Sequence, residues 1–357
     1  MNKIIGFIQR ERLYILILIF VLLFNLAAIL HGESKSKQKV VPGPTSVLSA
    51  EEAKAKKFEE SLVRRQEMEK ALHKNKEALI LFSLAAILIL GLILLGLVID
   101  AIIFSSKLAG KNLDVHTRIP GPVRWGLLDV GKVVLLLLFF AYLLILSEVF
   151  LSRLFPILKV DNFRMIVNTS LLDIIAAALI LYFTIDRHKE RLAALGLSTK
   201  DFFKNVFYGI VGYIALIPIL IALLIITAVV INIIKYVPER QPVVELFLKE
   251  KDVTFLTYSS LFAAIIGPII EELFFRGFMY GALKKYLGVL WAMIMTAAVF
   301  AALHTQIVGF LPIMALGILL AYIYEKTGTL VSSITAHIIH NLSMVFLIFL
   351  IKQVGYG

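Results

Sequence analysis

Cysteine is absent from all 357 residues, so no disulfide can form and no thiol can act as a nucleophile; compartment cannot be read from cysteine usage. Charge is scarce as well. Only 17% of residues are charged while 60% are hydrophobic, and mean hydropathy is +0.90, which excludes a soluble globular protein of this length. Missing too are a glycine-rich phosphate loop, so nucleotide use is not expected, and the HExxH pattern of the usual zinc peptidase helix. No serine has an obvious histidine and acid partner. Acids are outnumbered, 25 to 36, for a net charge of +11. In a membrane protein that surplus belongs to cytoplasmic loops and anionic headgroups, with no need for nucleic acid.

What the chain has in quantity is apolar runs: Leu13–Leu30, Ala78–Phe104, Val133–Leu151, Met165–Phe183, Phe207–Ile234, Phe255–Tyr280, Val289–Leu303, Val308–Tyr324 and Leu330–Ile351. About 20 apolar residues cross a bilayer as a helix. The fold class expected is all-α, a polytopic membrane helical bundle of eight or nine transmembrane helices with one polar helical arm. Residues 1–32 form the first segment. Its basic start resembles a signal peptide, but it lacks a convincing small-residue cleavage site and is read as an uncleaved span. Residues 33–76 are the polar arm, residues 78–254 accessory spans and residues 255–352 a C-terminal core of spans. In the arm, Pro42-Gly43-Pro44 breaks structure and Ser49-Ala50-Glu51-Glu52 reads as a capping box. Pairs such as Glu52/Lys56 and Glu60/Arg64 support a solvated helix, able to run directly into the next span and open to a protein partner. No internal repeat is evident.

The polar connections Ser105–Lys132, with Lys107, Lys111, Arg118, Arg124 and Lys132, and Asp186–Lys204 are both basic. The positive-inside rule places them in the cytoplasm, with Lys235–Asp252 on the other side of a plasma or inner membrane. The same count places the arm outside despite its eleven Lys and Arg, a weak conflict because long loops carry little orientation signal.

Within Phe255–Tyr280 lies Gly267-Pro268-Ile269-Ile270-Glu271-Glu272-Leu273-Phe274-Phe275-Arg276-Gly277. A charge at the bilayer centre costs roughly 2.5–3.5 kcal/mol on insertion scales, so three in one short stretch point to function. At about 100° per residue, Arg276 lies about 40° from Glu272 and about 140° from Glu271. Glu272 and Arg276 therefore pair along one face, leaving Glu271 to face its neighbours. Pro268 cannot donate to the Ala264 carbonyl, which predicts a kink. Asp173, alone in the fourth span, is read as hydrogen-bonded to a neighbouring helix.

Two further spans carry histidine. Phe300 precedes His304 by one turn, and His337 shares a face with Asn341. His340, about 60° from His337, faces a different neighbour. Short loops make these helices adjacent, so their polar groups can converge. Two chemistries suit the set. Glu271, His304 and His337 could hold a Zn2+ ion with an open position. Alternatively, a buried Glu could act as base on a water while His and Asn bind the oxyanion. Both hydrolyse an amide. Buried Glu, Arg and His also build proton or ion relays, so a coupled transporter is the competing class, and a non-catalytic scaffold a third.

The three motifs Glu271-Glu272-x-x-x-Arg276, Phe300-x-x-x-His304 and His337-x-x-x-Asn341, in that order, resemble the CPBP family of intramembrane proteases. These are the type II CAAX prenyl endopeptidases and their bacterial relatives, including bacteriocin-processing and immunity proteins. Gly317–Leu330 also looks like the family's segment between the last two motifs, and the likeness spans roughly 255–350. The resemblance implies an endopeptidase acting on a membrane-associated protein or peptide in contact with lipid. It implies that Glu271 activates water with His304 assisting, and that His337 and Asn341 bind the oxyanion or join a metal site. Glu272 and Arg276 would hold the site together. A CAAX substrate would be cleaved after a prenylated cysteine, although many relatives have no such substrate.

Overall fold

A computed structural model describes residues 2–38, 50–111, 121–238, 241–304 and 307–353. The Pro42-Gly43-Pro44 break, the Ser49 cap and Arg118 lie outside the described residues. All regular structure among the described residues is helical, as apolar surroundings demand: with no water to bond, the backbone must satisfy itself within each segment.

Helix α1 (Asn2–Gln38) packs along α4 (Leu127–Leu154), held by Lys132–Glu11 at 2.7 Å, by Asn25 Nδ2 donating to the Tyr142 hydroxyl at 2.7 Å and by Phe24 stacked on Tyr142. The arm is α2 (Ala50–Lys74). It does not run straight into α3 (Lys76–Leu108): Asn75 breaks the helix and caps the next, its side chain accepting from the Ala78 amide at 3.1 Å. Helices α5 (Asp161–Leu181), α6 (Phe202–Ile233) and the short α7 (Pro242–Lys249) follow. The chain then forms α8 (Val253–Leu261), a π-helical segment Phe262–Ile266, α9 (Gly267–Glu272), a second π-helical segment Leu273–Tyr280, and α10 (Gly281–Leu303). Helices α11 (Ile307–Thr327) and α12 (Leu330–Gln353) complete the described chain.

Eight spans among the described residues are long and apolar enough to cross a membrane, and the protein is a multi-pass membrane protein. One of them, Val253–Leu303, has 51 residues, which as a straight rod would measure about 77 Å against a hydrocarbon core of about 30 Å. It folds in two at Gly288, where φ is 72° and ψ 178°. Rings on opposite sides of that turn touch: Phe275 and Phe300 lie 5.1 Å apart. The sixth and seventh apolar runs are thus two antiparallel legs. The Gly288 conformation belongs essentially to glycine, and a non-glycine residue there costs on the order of 1–3 kcal/mol. No neighbour lies within 4 Å of where a Cβ would sit, so Gly288→Ala isolates the backbone strain. We expect a loss of that size, read as a lower thermal midpoint of the purified protein in detergent.

One end of the bundle gathers both basic connections. There the fully buried Trp125 donates to the Phe278 carbonyl at 2.8 Å, Lys284 and Tyr280 bond Glu325 at 2.6 and 2.9 Å, and the Leu330 amide bonds the Gly196 carbonyl at 2.9 Å. At the other end Lys352 donates to the Phe247 carbonyl at 3.0 Å, tying α7 to α12. Nearby, the backbone amides of Asp252 and Lys251 hold the Glu250 carboxyl below the ordinary carboxylate range. Helix α11 sits innermost, against α6, α10 and α12, whereas most large apolar side chains of α3 face outward, as lipid-facing residues do.

Candidate active site

Pro268 does not produce a simple kink. The Gly267 amide reaches back five residues to the Phe262 carbonyl, so the chain is π-helical just before the proline. In that register the next bond would run from residue 268 to the Ala263 carbonyl, and proline has no N–H to make it. The Asn341 side-chain amide makes it instead, donating to that carbonyl at 2.9 Å. The freed acceptor is therefore one residue earlier than α-helical counting implies, and it ties the third motif to the first. π-Helical turns of this kind concentrate at functional sites.

Glu272 and Arg276 pair as the helix geometry requires, with Nη1 donating to Oε1 at 2.5 Å and both side chains fully buried. Arg276 Nη2 donates to the Gly317 carbonyl at 3.1 Å, and the guanidinium lies 4.8 Å from the Phe300 ring centroid. Gly317 lets α11 lie close against α10, because a Cβ there would stand 2.9 Å from that of Ala297. Glu272 Oε2 and Arg276 Nε are buried without a partner among the described residues.

His337, 2% exposed, joins the two glutamates. Its Nδ1–H donates to Glu272 Oε1 at 2.9 Å, which turns Nε2 toward Glu271 Oε2, 3.6 Å away. Glu271 is the open member: its side chain is 36% exposed, whereas its neighbour in sequence is sealed. Glu272 thus does more than balance Arg276, since one oxygen orients both the guanidinium and the imidazole.

His304 closes α10. Its Nδ1–H donates to the Phe300 carbonyl one turn back at 2.8 Å, and Nε2 has no hydrogen bond among the described residues. The Phe300 ring contacts both imidazoles, 4.7 Å from that of His304 and 5.6 Å from that of His337. Among the described residues, no three His, Asp or Glu side chains converge on a point that could hold a metal. Glu271, His304 and His337, as they stand, do not fit the three-ligand set that catalytic zinc needs.

His340 faces α6, 3.3 Å from the Tyr213 hydroxyl and apart from this group, as its angular offset requires. Asp173 departs from expectation: half-buried on α5, which packs on α9, it has no hydrogen bond or ion pair to a neighbouring helix among the described residues. Sequence reasoning missed the backbone part of the site, the Gly317 and Ala263 carbonyls. Pro268 was the available signal for the second.

Residues 253–343 match the family described as type II CAAX prenyl endopeptidase Rce1-like, a stretch that contains all three motifs. The Bacillus subtilis (strain 168) protein named "Putative membrane peptidase YdiL" is 29% identical over 85 residues, which cover 24% of this chain and 35% of that protein. The match therefore spans about a third of the relative's length. No solved structure matches the chain.

Proposed function

Residues 253–343 belong to the type II CAAX prenyl endopeptidase-like (CPBP) family, and from that premise we propose that the protein is an intramembrane endopeptidase in which Glu271 activates the attacking water. The main support is the placement of His337, buried in an apolar bundle and held between the two carboxylates. A structural ion pair needs only Glu272 and Arg276. A half-exposed second carboxylate beside an oriented imidazole is the equipment of general-base hydrolysis.

The steps follow from those positions. Glu271 takes a proton from water as the oxygen attacks the substrate carbonyl carbon. The carbonyl oxygen becomes an oxyanion and accepts hydrogen bonds from the second N–H of the Asn341 amide and from Nε2–H of His337 or His304 in its imidazolium form, since Nδ1–H of each ring is already committed. Collapse of the tetrahedral intermediate breaks the C–N bond, and the leaving amine takes the proton from Glu271. One water is consumed, giving a carboxylate and an amine. Proton transfer of this kind contributes roughly 10²–10⁴-fold and an oxyanion donor roughly 10²–10³-fold. Because the Glu271, His304 and His337 donors do not converge, no step runs through a metal. The substrate proposed is a membrane-associated protein or peptide, with a prenylated CAAX-like chain as the narrower candidate that the family description suggests. The basic end of the bundle is assigned to the cytoplasmic face of a plasma or inner membrane, and the α2 arm is open to a protein partner.

The test is reconstitution of the full chain in liposomes with internally quenched apolar peptides, prenylated and unprenylated. Cleavage is expected, with product masses that sum to substrate plus one water, and it is expected to persist in chelator. Intact peptides together with a Glu271-dependent proton flux would assign the protein to the transporter class instead.

A further inference from the structure

Helix α4 begins at the basic end of the bundle, and the 3-10 turn Pro156–Lys159 joins it to α5 at the opposite end. That end also holds α7, and Asn162 of α5 donates to Glu250 just beyond it at 3.5 Å. Between α4 and α5 lies an open cavity of about 630 Å³, within the roughly 300–1,000 Å³ of ordinary ligand sites. Its lining changes character along the span. Ile145, Glu148, Val149 and Ser152 of α4 sit at i, i+3, i+4 and i+7, so they form one face that rises about 10 Å. Arg164 and Asn168 of α5 complete the wall, and Lys159 stands in the turn beyond. The deeper part is apolar, where Ile145 and Val149 are exposed as lipid-facing residues are. The part toward the helix ends is polar and basic.

The wall has a surplus positive charge. Both oxygens of Glu148 are engaged: Oε1 accepts from the Asn168 amide, and Oε2 lies 3.5 Å from Arg164 Nε. Arg164 also donates to Asp161 Oδ1 at 2.5 Å, so its guanidinium is held from two sides. Lys159 has no hydrogen bond or ion pair among the described residues. The lining holds two cations against one acid, and the unmatched cation stands at the polar mouth. A cavity with an apolar floor and a basic mouth complements a ligand of the same build, an anionic headgroup on acyl chains. Arginine and lysine are favoured partners of phosphate oxygens, and basic pockets between membrane helices bind anionic headgroups. The Ser152 hydroxyl and the second N–H of Asn168 add neutral donors to the same wall.

We infer that the cavity between α4 and α5 binds an anionic phospholipid, with the phosphate on Lys159 and Arg164 and the first acyl carbons on Ile145 and Val149. The choice of a lipid over a free phosphate ion rests on the apolar half of the lining, which a soluble ion would leave uncovered. The preference for a net negative headgroup rests on Glu148. Its oxygens are already taken by Asn168 and Arg164, so the ammonium of a zwitterionic lipid meets no free carboxylate in the lining. The inference does not depend on the endopeptidase proposal and can be measured without turnover.

The experiment is native mass spectrometry of the full chain, delipidated in detergent and titrated with phosphatidylglycerol or phosphatidylcholine, with inorganic phosphate as competitor. Phosphatidylglycerol is expected to bind about fivefold more tightly than phosphatidylcholine, the effect of one basic side chain near a headgroup. Lys159→Gln is expected to bring that ratio near one. Folding is not at risk in this variant, because Lys159 is exposed and has no partner among the described residues. Lys251→Gln removes an equal charge from an exposed position at the same end, outside the cavity, and is expected to leave the ratio unchanged. A ratio near one in the wild type overturns the inference. So does a ratio that falls as far in Lys251→Gln as in Lys159→Gln, because general surface charge would then account for it. Inorganic phosphate in excess is expected to leave the lipid bound. If phosphate displaces phosphatidylglycerol from the wild type, the cavity is a site for a soluble anion and the lipid assignment fails.

Discussion

Glu271→Gln is expected to abolish peptide hydrolysis while leaving the bundle folded. The two halves of that expectation have different origins. The amide is the same size as the acid but cannot accept the proton of the attacking water, and losing a general base costs roughly 10²–10⁴-fold in rate. Stability is spared because the Glu271 side chain is 36% exposed, and its close contact with protein is the 3.6 Å approach to His337, longer than a hydrogen bond. Substitutions of that kind usually fall within about 0.5 kcal/mol. The measurement is kcat on a quenched peptide beside the thermal midpoint in detergent. Undiminished turnover would remove Glu271 from the reaction, and a collapse of the midpoint would make it a structural residue.

Arg276→Met is expected to do the reverse and act first on the fold. Arg276 and Glu272 are both fully buried, and removing one partner leaves the other as an uncompensated charge, at a cost of about 3–5 kcal/mol. The damage spreads in a defined order. The Gly317 carbonyl loses its donor, Glu272 is stranded, and His337 is then held by a carboxylate that no longer has a counter-charge. Replacing both residues with Met should recover much of the stability, because an apolar pair of similar volume is often neutral where a broken ion pair is not. It should not recover activity, because nothing would then fix the imidazole through Nδ1. Thermal midpoints of the wild type, both single variants and the double variant form the cycle. A double variant no more stable than Arg276→Met would mean that the pair contributes packing rather than charge balance.

His304 shows how far spacing alone constrains a side chain. Its spacing from Phe300 places it one turn along the same helix, and that turn is where its Nδ1–H is spent, on the Phe300 carbonyl. The ligand trio drawn from the sequence requires three side chains from three helices to aim at one point. Residue type and spacing state that they can, and helix rotation and end position determine whether they do. The same distinction applies at Asn341. Its face on α12 follows from counting residues, but its bond to Ala263 depends on a proline in another span and on a π-helical register that no periodicity announces.

What the amino-acid order determined by itself was everything set within one helix or by composition. The apolar runs became helical legs, Glu272 found Arg276 one turn away, His340 turned aside from His337, and Gly288 was a glycine where the chain must fold back. These follow from 3.6 residues per turn, from the backbone's need to bond itself in lipid, and from the conformations open to a residue without a Cβ. Only the tertiary structure decided how the legs lie against one another: which nitrogen of His337 faces Glu271, and that Phe300 contacts both imidazoles. The physical reason is that the axial register and rotation of neighbouring helices come from the interlocking of many side chains at once, down to a Gly317 small enough for α11 to lie against Ala297, and no single stretch of sequence contains that sum.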